Sequence, residues 1–322
     1  MDLLSIAQQN LLSPMVLCFA LGLFAAIARS ELSVPEAAAK AMSIYLLFAI
    51  GFKGGAEVAR VGFGLEVASA IAGGVILSLL LPLVAFALLR ATTKLSATDA
   101  AAVGAHYGSI SIVTFVAATQ ALEAAGLSYD GYMIAVAAAM EAPAIIAALW
   151  LVSRTSETGS KSAGIPREVF VNGSIVLLIG AFFIGWASGE KGFVAIASFI
   201  DTPFKGVLCL FLLDMGLVAG RFLRETGRQL RPPVMAAAIY MPAIGALCAV
   251  PVAMAIGVST GSAALLITLA ASASYIAVPA ALRIALPQAN PAIYLTLSLG
   301  LTFPFNLTLG IPIYIALAQS IT

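Results

Sequence analysis

The sequence is poor in charged residues and in the residue types that build most catalytic and metal sites. Only 10% of its 322 residues are charged, with three cysteines and a single histidine. A soluble domain carries about 25% charged residues, so a chain of this composition cannot be covered with water. The net charge of +1, without any basic block, gives no footprint for nucleic acid. The cysteines show no C-x-x-C or Cys/His ligand pattern, and we interpret them as small core residues; they are Cys18, Cys209 and Cys248.

Apolar residues make up most of the chain. They account for 61% of it, and the mean hydropathy is +1.07. About 20 apolar residues cross the roughly 30 Å hydrocarbon layer of a membrane as a helix. The lipid bilayer is therefore the expected solvent, and the predicted fold class is an all-α membrane protein of about ten transmembrane helices. The predicted spans lie near 11–28, 36–52, 65–89, 98–122, 131–152, 170–188, 204–222, 233–257, 262–286 and 291–319.

The longest polar connection divides the chain in half. It covers residues 153–168 (SRTSETGSKSAGIPRE), whose Ser, Gly, Pro and mixed charge are typical of a linker. This division predicts a first five-helix repeat over residues 1–152, a cytoplasmic linker over 153–168 and a second five-helix repeat over 169–322.

The distribution of Lys and Arg predicts the orientation. When the connections are numbered from the N-terminus, the odd ones hold 12 of the 16 basic residues. Because basic residues concentrate in cytoplasmic loops, the odd connections are expected in the cytoplasm and both termini outside it. The predicted location is the cell inner (plasma) membrane, as a multi-pass protein.

The two halves carry recurring landmarks. Residues 50–55 (IGFKGG) and 215–220 (MGLVAG) end the second and seventh spans, and each has two glycines four residues apart. Pro143 of span five corresponds to Pro304 of span ten. Five spans per half bring the second half into the membrane from the opposite side, so a repeated sequence forms an inverted repeat.

Spans four and nine are both interrupted by small and hydroxyl residues. Gly104–Thr114 reads GAHYGSISIVT, and Ala271–Pro279 reads ASASYIAVP. Such stretches weaken a helix, and the backbone groups they release need partners or a polar cavity. We expect the two broken helices to cross near the membrane midplane, where helix N-termini suit an anion and freed carbonyls and hydroxyls suit a cation. The predicted substrate-binding residues are Gly108, Ser109, Ile110, Ser111, Ser272, Ala273, Ser274 and Tyr275.

An alternative interpretation of the same stretches is ordinary helix packing. Gly, Ala and Ser also let membrane helices approach closely, without any ligand. The matched positions of the hydroxyl residues in the two halves favour a site.

Four further residues are candidates for cation binding or coupling: His106, Thr114, Glu141 and Asn306. His106 is the only histidine and either relays protons or is a packing residue. Glu141 either lies at the ion site or sits near the cytoplasmic end of span five, paired with an Arg. Asn306 follows Pro304 and is suited to cap freed backbone. No metal site beyond a sodium site, and no other cofactor, is indicated.

The chain resembles the sodium-dependent bicarbonate transporter family known from cyanobacteria. The resemblance runs from the first span to the last, and the stretches that carry it are GLFAAIARSELSVP (22–35), IGFKGG (50–55), YGSISIVT (107–114), ASASYIAVP (271–279), LRIALPQANPAIY (282–294) and GIPIYIALAQSI (310–321). It implies a core and a gate domain, and substrate and sodium at the crossing of the broken helices. It also implies a homotrimer, with a regulatory protein related to nitrogen-regulatory PII proteins as a partner. Ser109, Ser111, Ser272 and Ser274 would take the family's hydroxyl positions.

This chain departs from the family pattern at the second break. Family members that move bicarbonate carry an acidic residue where this chain has Tyr275, and a Gly-Pro pair where it has Val278-Pro279. The linker is also shorter than in the cyanobacterial members.

The predicted function is therefore secondary active transport of a small anion, namely bicarbonate, by sodium-coupled symport with alternating access. A transporter of another small anion or carboxylate, coupled to protons through His106 or Glu141, is the alternative. A channel and an intramembrane serine enzyme using His106 with Ser109 or Ser111 are further alternatives, but no G-x-S-x-G or phosphate-loop motif accompanies these residues. The chain is thus predicted not to be an enzyme.

Overall fold

The described chain is helical throughout its length. The computed structural model describes residues 8, 10–62, 64–155, 173–225 and 230–322, and within these ranges it contains helices and short turns and no strand. We number the helices α1 (Pro14–Ile27), α2 (Glu36–Val61), α3 (Leu65–Thr92), α4 (Ala97–Gly108), α5 (Ile112–Ala124), α6 (Met133–Ala139), α7 (Glu141–Thr155), α8 (Gly173–Ile200), α9 (Phe204–Glu225), α10 (Pro232–Ile256), α11 (Thr260–Ala271), α12 (Ala277–Ala285) and α13 (Pro291–Ile321).

These helices match the apolar spans of the sequence. Within the described ranges, eight helical segments are long and apolar enough to cross a membrane, and two shorter apolar helices, α1 and α11, accompany them. Each of the ten segments overlaps one predicted span. The prediction of an all-helical, multi-pass membrane protein is therefore confirmed. Most of the predicted linker lies outside the described residues, and its first three residues are the end of α7.

Helix α2 is clearly longer than predicted. Span two is expected to end at residue 52, but α2 continues to Val61. Span six is expected to end at residue 188, and the next residue, Gly189, has non-helical backbone angles (φ 57°, ψ −152°), beyond which a further helical segment of α8 runs to Ile200. The charged residues that follow the expected end of span two are accommodated within α2. Lys53 of α2 forms an ion pair with Asp201, and Arg60 pairs with Glu57 one turn earlier. Long basic side chains keep their charged groups near water while their stems remain on the helix.

Four helices form one bundle through close backbone contacts. A Cβ atom on Gly55 of α2 would lie 1.8 Å from the carbonyl oxygen of Phe182 in α8. Likewise, a Cβ on Gly216 of α9 would lie 2.2 Å from the carbonyl oxygen of Phe19 in α1. Only glycine permits such approaches. We call α1, α2, α8 and α9 the four-helix bundle.

The other helices form a second group, the core bundle, which consists of α3–α7 and α10–α13. Here α3 packs on α4 and α7, while α10 and α13 pack on α11. The half-helices α4, α5 and α11 are buried along almost their entire length. Contacts between α9 and the first half of α13 join the two bundles. Large apolar side chains on the outside of the protein are exposed, among them Phe24, Leu65 and Leu247, as expected of surfaces that face lipid.

Candidate functional site

The fourth predicted span consists of two helices separated by an extended segment. Helix α4 ends at Gly108, and α5 begins at Ile112. Ser109 has φ −85° and ψ 171°, and Ser111 has φ −103° and ψ 106°, so both are extended. The Ser111 hydroxyl accepts a hydrogen bond from the backbone N–H of Thr114 at 3.1 Å. Serine stabilises such a helix start by replacing a missing backbone acceptor.

The ninth predicted span is broken in the same way. Helix α11 ends at Ala271, and α12 begins at Ala277. Ser272, the first residue of the break, has φ −86° and ψ 169°. Its hydroxyl donates to the carbonyl oxygen of Leu269 at 2.8 Å. Both breaks fall within the stretches that the sequence singled out.

The two breaks are in direct contact. The backbone N–H of Ser274 donates to the carbonyl oxygen of His106 at 2.8 Å, and the N–H of Ser111 donates to the Ser272 hydroxyl at 2.9 Å. The His106 ring is 2.5 Å from the Ser274 carbonyl oxygen through Nδ1. Because a carbonyl can only accept, Nδ1 carries the hydrogen. We call the region where the breaks meet the crossing.

Donors from α13 and from the second break satisfy the carbonyl ends of the half-helices. Asn306 donates through Nδ2 to the carbonyl oxygen of Ala271 at 2.9 Å, and its Oδ1 accepts from the Tyr314 hydroxyl at 2.7 Å. This arrangement matches the backbone-capping role considered for Asn306. The His106 ring also stacks on Tyr294, with centroids 4.5 Å apart. One carbonyl near the C-terminal end of each of α4 and α11, that of His106 and that of Ala271, thus has an internal partner.

Glu141 lies at the crossing. Helix α7 starts at this residue, after a turn at Met140 whose carbonyl accepts a 2.6 Å hydrogen bond from Ser78 of α3. Glu141 is 6% exposed and lines a small cavity together with Ile110, Ser111, Ile112, Ser274, Tyr275 and Ile276. Among the described side chains, no Arg or Lys is within ion-pairing distance of it. Of the two positions that the sequence left open, the structure shows the one beside the broken helices.

Unsatisfied polar atoms concentrate at the crossing. In the described part of the chain, five buried side-chain atoms have no hydrogen-bond partner, and four of them belong to residues of the breaks or their immediate neighbours. The five are His106 Nε2, Ser109 Oγ, Glu141 Oε2, Tyr275 Oη and Thr296 Oγ1. Buried polar groups are normally hydrogen-bonded, so a cluster of exceptions makes the crossing the candidate site for a bound ion or water.

Larger cavities approach the crossing from two sides. One, of about 390 Å³, is lined by Tyr275 and Ile276 of the second break and by apolar residues of α9 and α13. The other, of about 360 Å³, is lined by Phe115 and Val116 of α5 and by charged residues near the ends of α2, α5 and α9. The second cavity lies between the two bundles, and the ion pair between Lys205 of α9 and Glu123 of α5, at 3.2 Å, bridges it.

The geometry does not support a serine–histidine pair. His106 Nδ1 is bonded to the Ser274 carbonyl, while His106 Nε2 and Ser109 Oγ each lack a hydrogen-bond partner. Ser111 accepts from the hydroxyl of Thr114 at 2.9 Å. A nucleophilic serine requires a base within hydrogen-bonding distance, and His106 is not in that position for either serine.

The remaining predicted site residues are buried around the same point. Gly108 ends α4, and Ile110 and Ala273 are 1% and 2% exposed. The sequence analysis did not identify Ser78 or Tyr294, which hold Met140 and His106 in place. Ser78 is the one hydroxyl residue in the apolar run of residues 70–89, a signal that would have justified its inclusion.

The fold and the crossing define a class of protein. A multi-pass helical membrane protein in which two discontinuous helices meet in the interior has the architecture of secondary transporters. The comparison with protein families agrees: the model of the Na+-dependent bicarbonate transporter superfamily matches residues 14–319. The chain belongs to this superfamily, as the sequence resemblance predicted. A search of curated proteins returned no match.

Proposed function

We propose that the protein is a secondary active transporter that carries bicarbonate into the cell by symport with sodium. One observation above all supports this proposal: the two helix breaks contact each other, with Ser111 bonded to Ser272 and Ser274 bonded to His106. A transporter of this kind needs one interior site that both halves of the fold build together. Membership of the Na+-dependent bicarbonate transporter superfamily supports the choice of substrate and coupling ion.

The dipoles at the crossing favour an anion. Helices α5 and α12 both begin at the breaks, and a helix N-terminus carries a partial positive charge and amides without intrahelical acceptors. The opposing carbonyl ends of α4 and α11 receive hydrogen bonds from Ser274 and Asn306. Two of the terminal carbonyls therefore already have internal partners, whereas the N-terminal ends of α5 and α12 offer donors to an anion. A planar oxyanion of bicarbonate size can accept hydrogen bonds from such amides without a basic side chain.

The proposed mechanism requires two structurally equivalent halves, and the half-helices provide support for an inverted repeat. Helices α4 and α11 each contain 12 residues. The residues that precede them, Ser96 and Ser259, have φ −59° in both cases and ψ 159° and 157°. The residues that follow them, Ser109 and Ser272, are likewise within 2° of each other in φ and ψ. Equivalent serines therefore start and end equivalent segments.

Equivalent positions in these segments, such as Ser96 and Ser259, are 163 residues apart, and packing contacts repeat at this spacing. A Cβ atom on Gly108 would lie 2.2 Å from Cγ of Pro82, and a Cβ on Gly245 would lie 3.1 Å from Cα of Ala271. Pro82 corresponds to Gly245, and Gly108 corresponds to Ala271. In each half, the end of the first half-helix therefore rests on the middle of the preceding long helix, and a glycine from one partner or the other makes room for the contact.

The two larger cavities fit alternating access between the bundles. The cavity at Tyr275 approaches the crossing from the side where α12 ends, and the cavity at Lys205 approaches from the side where α5 ends. The distribution of Lys and Arg would place the first side in the cytoplasm and the second outside, with both termini outside and the protein in the cell inner membrane. Movement of the core bundle against the four-helix bundle would open one cavity while it closes the other.

Assembly and regulation follow from the family resemblance alone. A homotrimer is part of the proposal, and native mass spectrometry in detergent tests it directly. A regulatory partner related to PII proteins would have to dock on the cytoplasmic face. Pull-down with a purified PII-type protein tests this interaction.

The transport proposal is tested by uptake of radiolabelled bicarbonate into proteoliposomes. Uptake is expected to exceed that of protein-free liposomes, to saturate, and to rise when an inward sodium gradient replaces an equal gradient of choline. Uptake equal to the protein-free background with either cation would contradict transport of bicarbonate. Flux that follows the anion gradient without saturation or coupling would indicate a channel.

A different anion is a second candidate because of Tyr275. The side chain lines both the small cavity at Glu141 and the larger cavity, and its hydroxyl has no hydrogen-bond partner there. A phenol can donate to a carboxylate as readily as to bicarbonate. Competition of labelled bicarbonate uptake by unlabelled formate, acetate and other small carboxylates separates the two substrates. Transport coupled to protons would appear as uptake driven by a pH gradient without sodium.

A further inference from the structure

Glu141 is a buried carboxylate to which no described side chain provides a countercharge. Its side chain is 6% exposed, and Oε2 has no hydrogen-bond partner. The described basic side chains that form ion pairs, Lys53, Arg60, Lys205 and Arg224, all have other partners. An isolated ionised carboxylate in an apolar interior is strongly unfavourable. The described part of the chain thus leaves one oxygen of this buried carboxyl group without a partner, as expected of a group that binds an ion.

The cavity next to Glu141 is the size of one water molecule or one small ion. Its volume is about 10 Å³, which corresponds to room for about one water molecule. Bicarbonate needs several times this space, so the cavity does not suit the transported anion in this conformation. A dehydrated monovalent cation fits.

Oxygen-bearing residues of both breaks line the same cavity. Ser111 belongs to the first break, while Ser274 and Tyr275 belong to the second, and Glu141 is the one carboxylate among the lining residues. Carboxylate, hydroxyl and carbonyl oxygens are the ligands that hard cations prefer. Tyr275 brings a hydroxyl but no charge to this place. The negative charge of the cavity therefore comes from α7, which belongs to neither span four nor span nine.

We propose that Glu141 supplies the anionic ligand of a sodium site at the crossing, and thereby couples sodium to the transported anion. This inference rests on the proposed function, because it assigns the coupling ion of the same site. Without a cation, the carboxylate opposes the positive helix ends of α5 and α12 and weakens anion binding. With sodium bound, its charge is neutralised and the helix ends attract the anion. Linkage requires the converse as well: the anion must raise the affinity for sodium by the same factor.

The test compares Glu141→Gln with a matched control, Glu36→Gln. Glutamine keeps the shape of the side chain and removes the charge, and Glu36 is an exposed glutamate in the first turn of α2. Thermal unfolding of each purified variant in detergent is followed as NaCl replaces choline chloride at constant ionic strength. A ligand that binds the folded state raises the unfolding temperature with its concentration. Wild type and Glu36→Gln are expected to show the same sodium-dependent rise, and Glu141→Gln is expected to need at least tenfold more sodium for it.

Several results would overturn the assignment. One is a sodium titration of Glu141→Gln that coincides with the wild-type curve, and another is a wild-type protein whose unfolding temperature does not respond to sodium. Should Glu141→Gln fail to purify as a monodisperse protein, Glu141→Asp replaces it. The shorter side chain withdraws the carboxylate from the cavity, so its sodium midpoint must rise, and an unchanged midpoint would reject the site.

The binding measurement is independent of transport, and the two proposals can therefore fail separately. Bicarbonate uptake by Glu141→Gln that keeps the wild-type sodium dependence would reject the role of Glu141 and leave the transport function intact. A wild-type protein that binds sodium through Glu141 but takes up no bicarbonate would reject the substrate and leave the cation site intact.

Discussion

Substitution of Gly108 by alanine tests whether the first break depends on the close contact between Gly108, at the end of α4, and Pro82 of α3. A Cβ atom at this position would lie 2.2 Å from Cγ and 2.4 Å from Cδ of Pro82, where ordinary contact begins at 3.4 Å. The pyrrolidine ring cannot rotate away, so α4 would have to retreat by about 1 Å. Overpacking of this kind costs about 1–3 kcal/mol, and the rigid ring predicts the upper part of this range. A displacement of about 1 Å at a functional site can also reduce a rate by about 100-fold.

The assay measures the free energy of unfolding in detergent and bicarbonate uptake in proteoliposomes. The matched control is Gly180→Ala in α8, where an added Cβ meets no atom within 4 Å. That substitution is expected to stabilise the helix by about 0.5–1 kcal/mol. A rescue variant, Pro82→Ala with Gly108→Ala, removes the ring and should recover most of the lost stability and uptake. If Gly108→Ala is as stable as Gly180→Ala, or if loss of the proline ring brings no recovery, the packing argument is wrong.

Three further substitutions probe other contacts. Ser272→Ala removes the acceptor of the Ser111 amide. A buried N–H without a partner costs about 1–3 kcal/mol, so both stability and uptake should fall, and wild-type values for both would contradict the contact. His106→Ala leaves the Ser274 carbonyl without its ring donor and removes the stacking on Tyr294. The free energy of chemical unfolding should fall by about 2–4 kcal/mol, and a fall of less than about 1 kcal/mol would refute the importance of these two contacts. Glu123→Gln breaks the ion pair between Glu123, which is 50% exposed, and Lys205, which is 66% exposed. The free energy of unfolding should change by less than about 1 kcal/mol, and a larger change would mean that the pair is more strongly coupled than its exposure indicates.

The sequence predicted the location of the breaks well because their cause is local. Serine and glycine weaken helices through their own side chains and backbone, so GSIS and SAS could be recognised without knowledge of the neighbours. The apolar spans were recognised for a similar reason, since hydropathy depends on composition within each segment. The overlap of the described helices with all ten predicted spans reflects this.

The position of Glu141 could not be predicted because it depends on a distant helix. Its placement follows from the turn at Met140, and Ser78, 62 residues earlier in the chain, holds the carbonyl of that turn. A one-residue shift of α7 would rotate the carboxylate away from the crossing by about 100°. Local sequence patterns carry no information on such a contact, so the sequence alone is compatible with both positions for Glu141.

The end of span two is predicted too early because charged residues lie inside the helix. The sequence assigns Lys53 to a connection, yet α2 continues for two more turns. Asp201 pairs with the Lys53 ammonium group, which lies 5.0 Å from the centroid of the Phe204 ring. These partners come from residues about 150 positions later. Composition marks a charge as a boundary, whereas tertiary partners allow it to stay within a helix.

The glycine contacts of the four-helix bundle determine which parts of the protein can move. At these glycines the backbone of α2 lies directly against that of α8, and the backbone of α9 against that of α1. Such close interfaces have little freedom to rearrange, so we expect each pair of helices to move as one unit. The adjustable surfaces are those built from side chains, where Phe222 of α9 faces Leu295 and Leu299 of α13 across a cavity. A crosslink between α9 and α13 at this cavity should abolish uptake, whereas a crosslink between α2 and α8 should leave uptake unchanged.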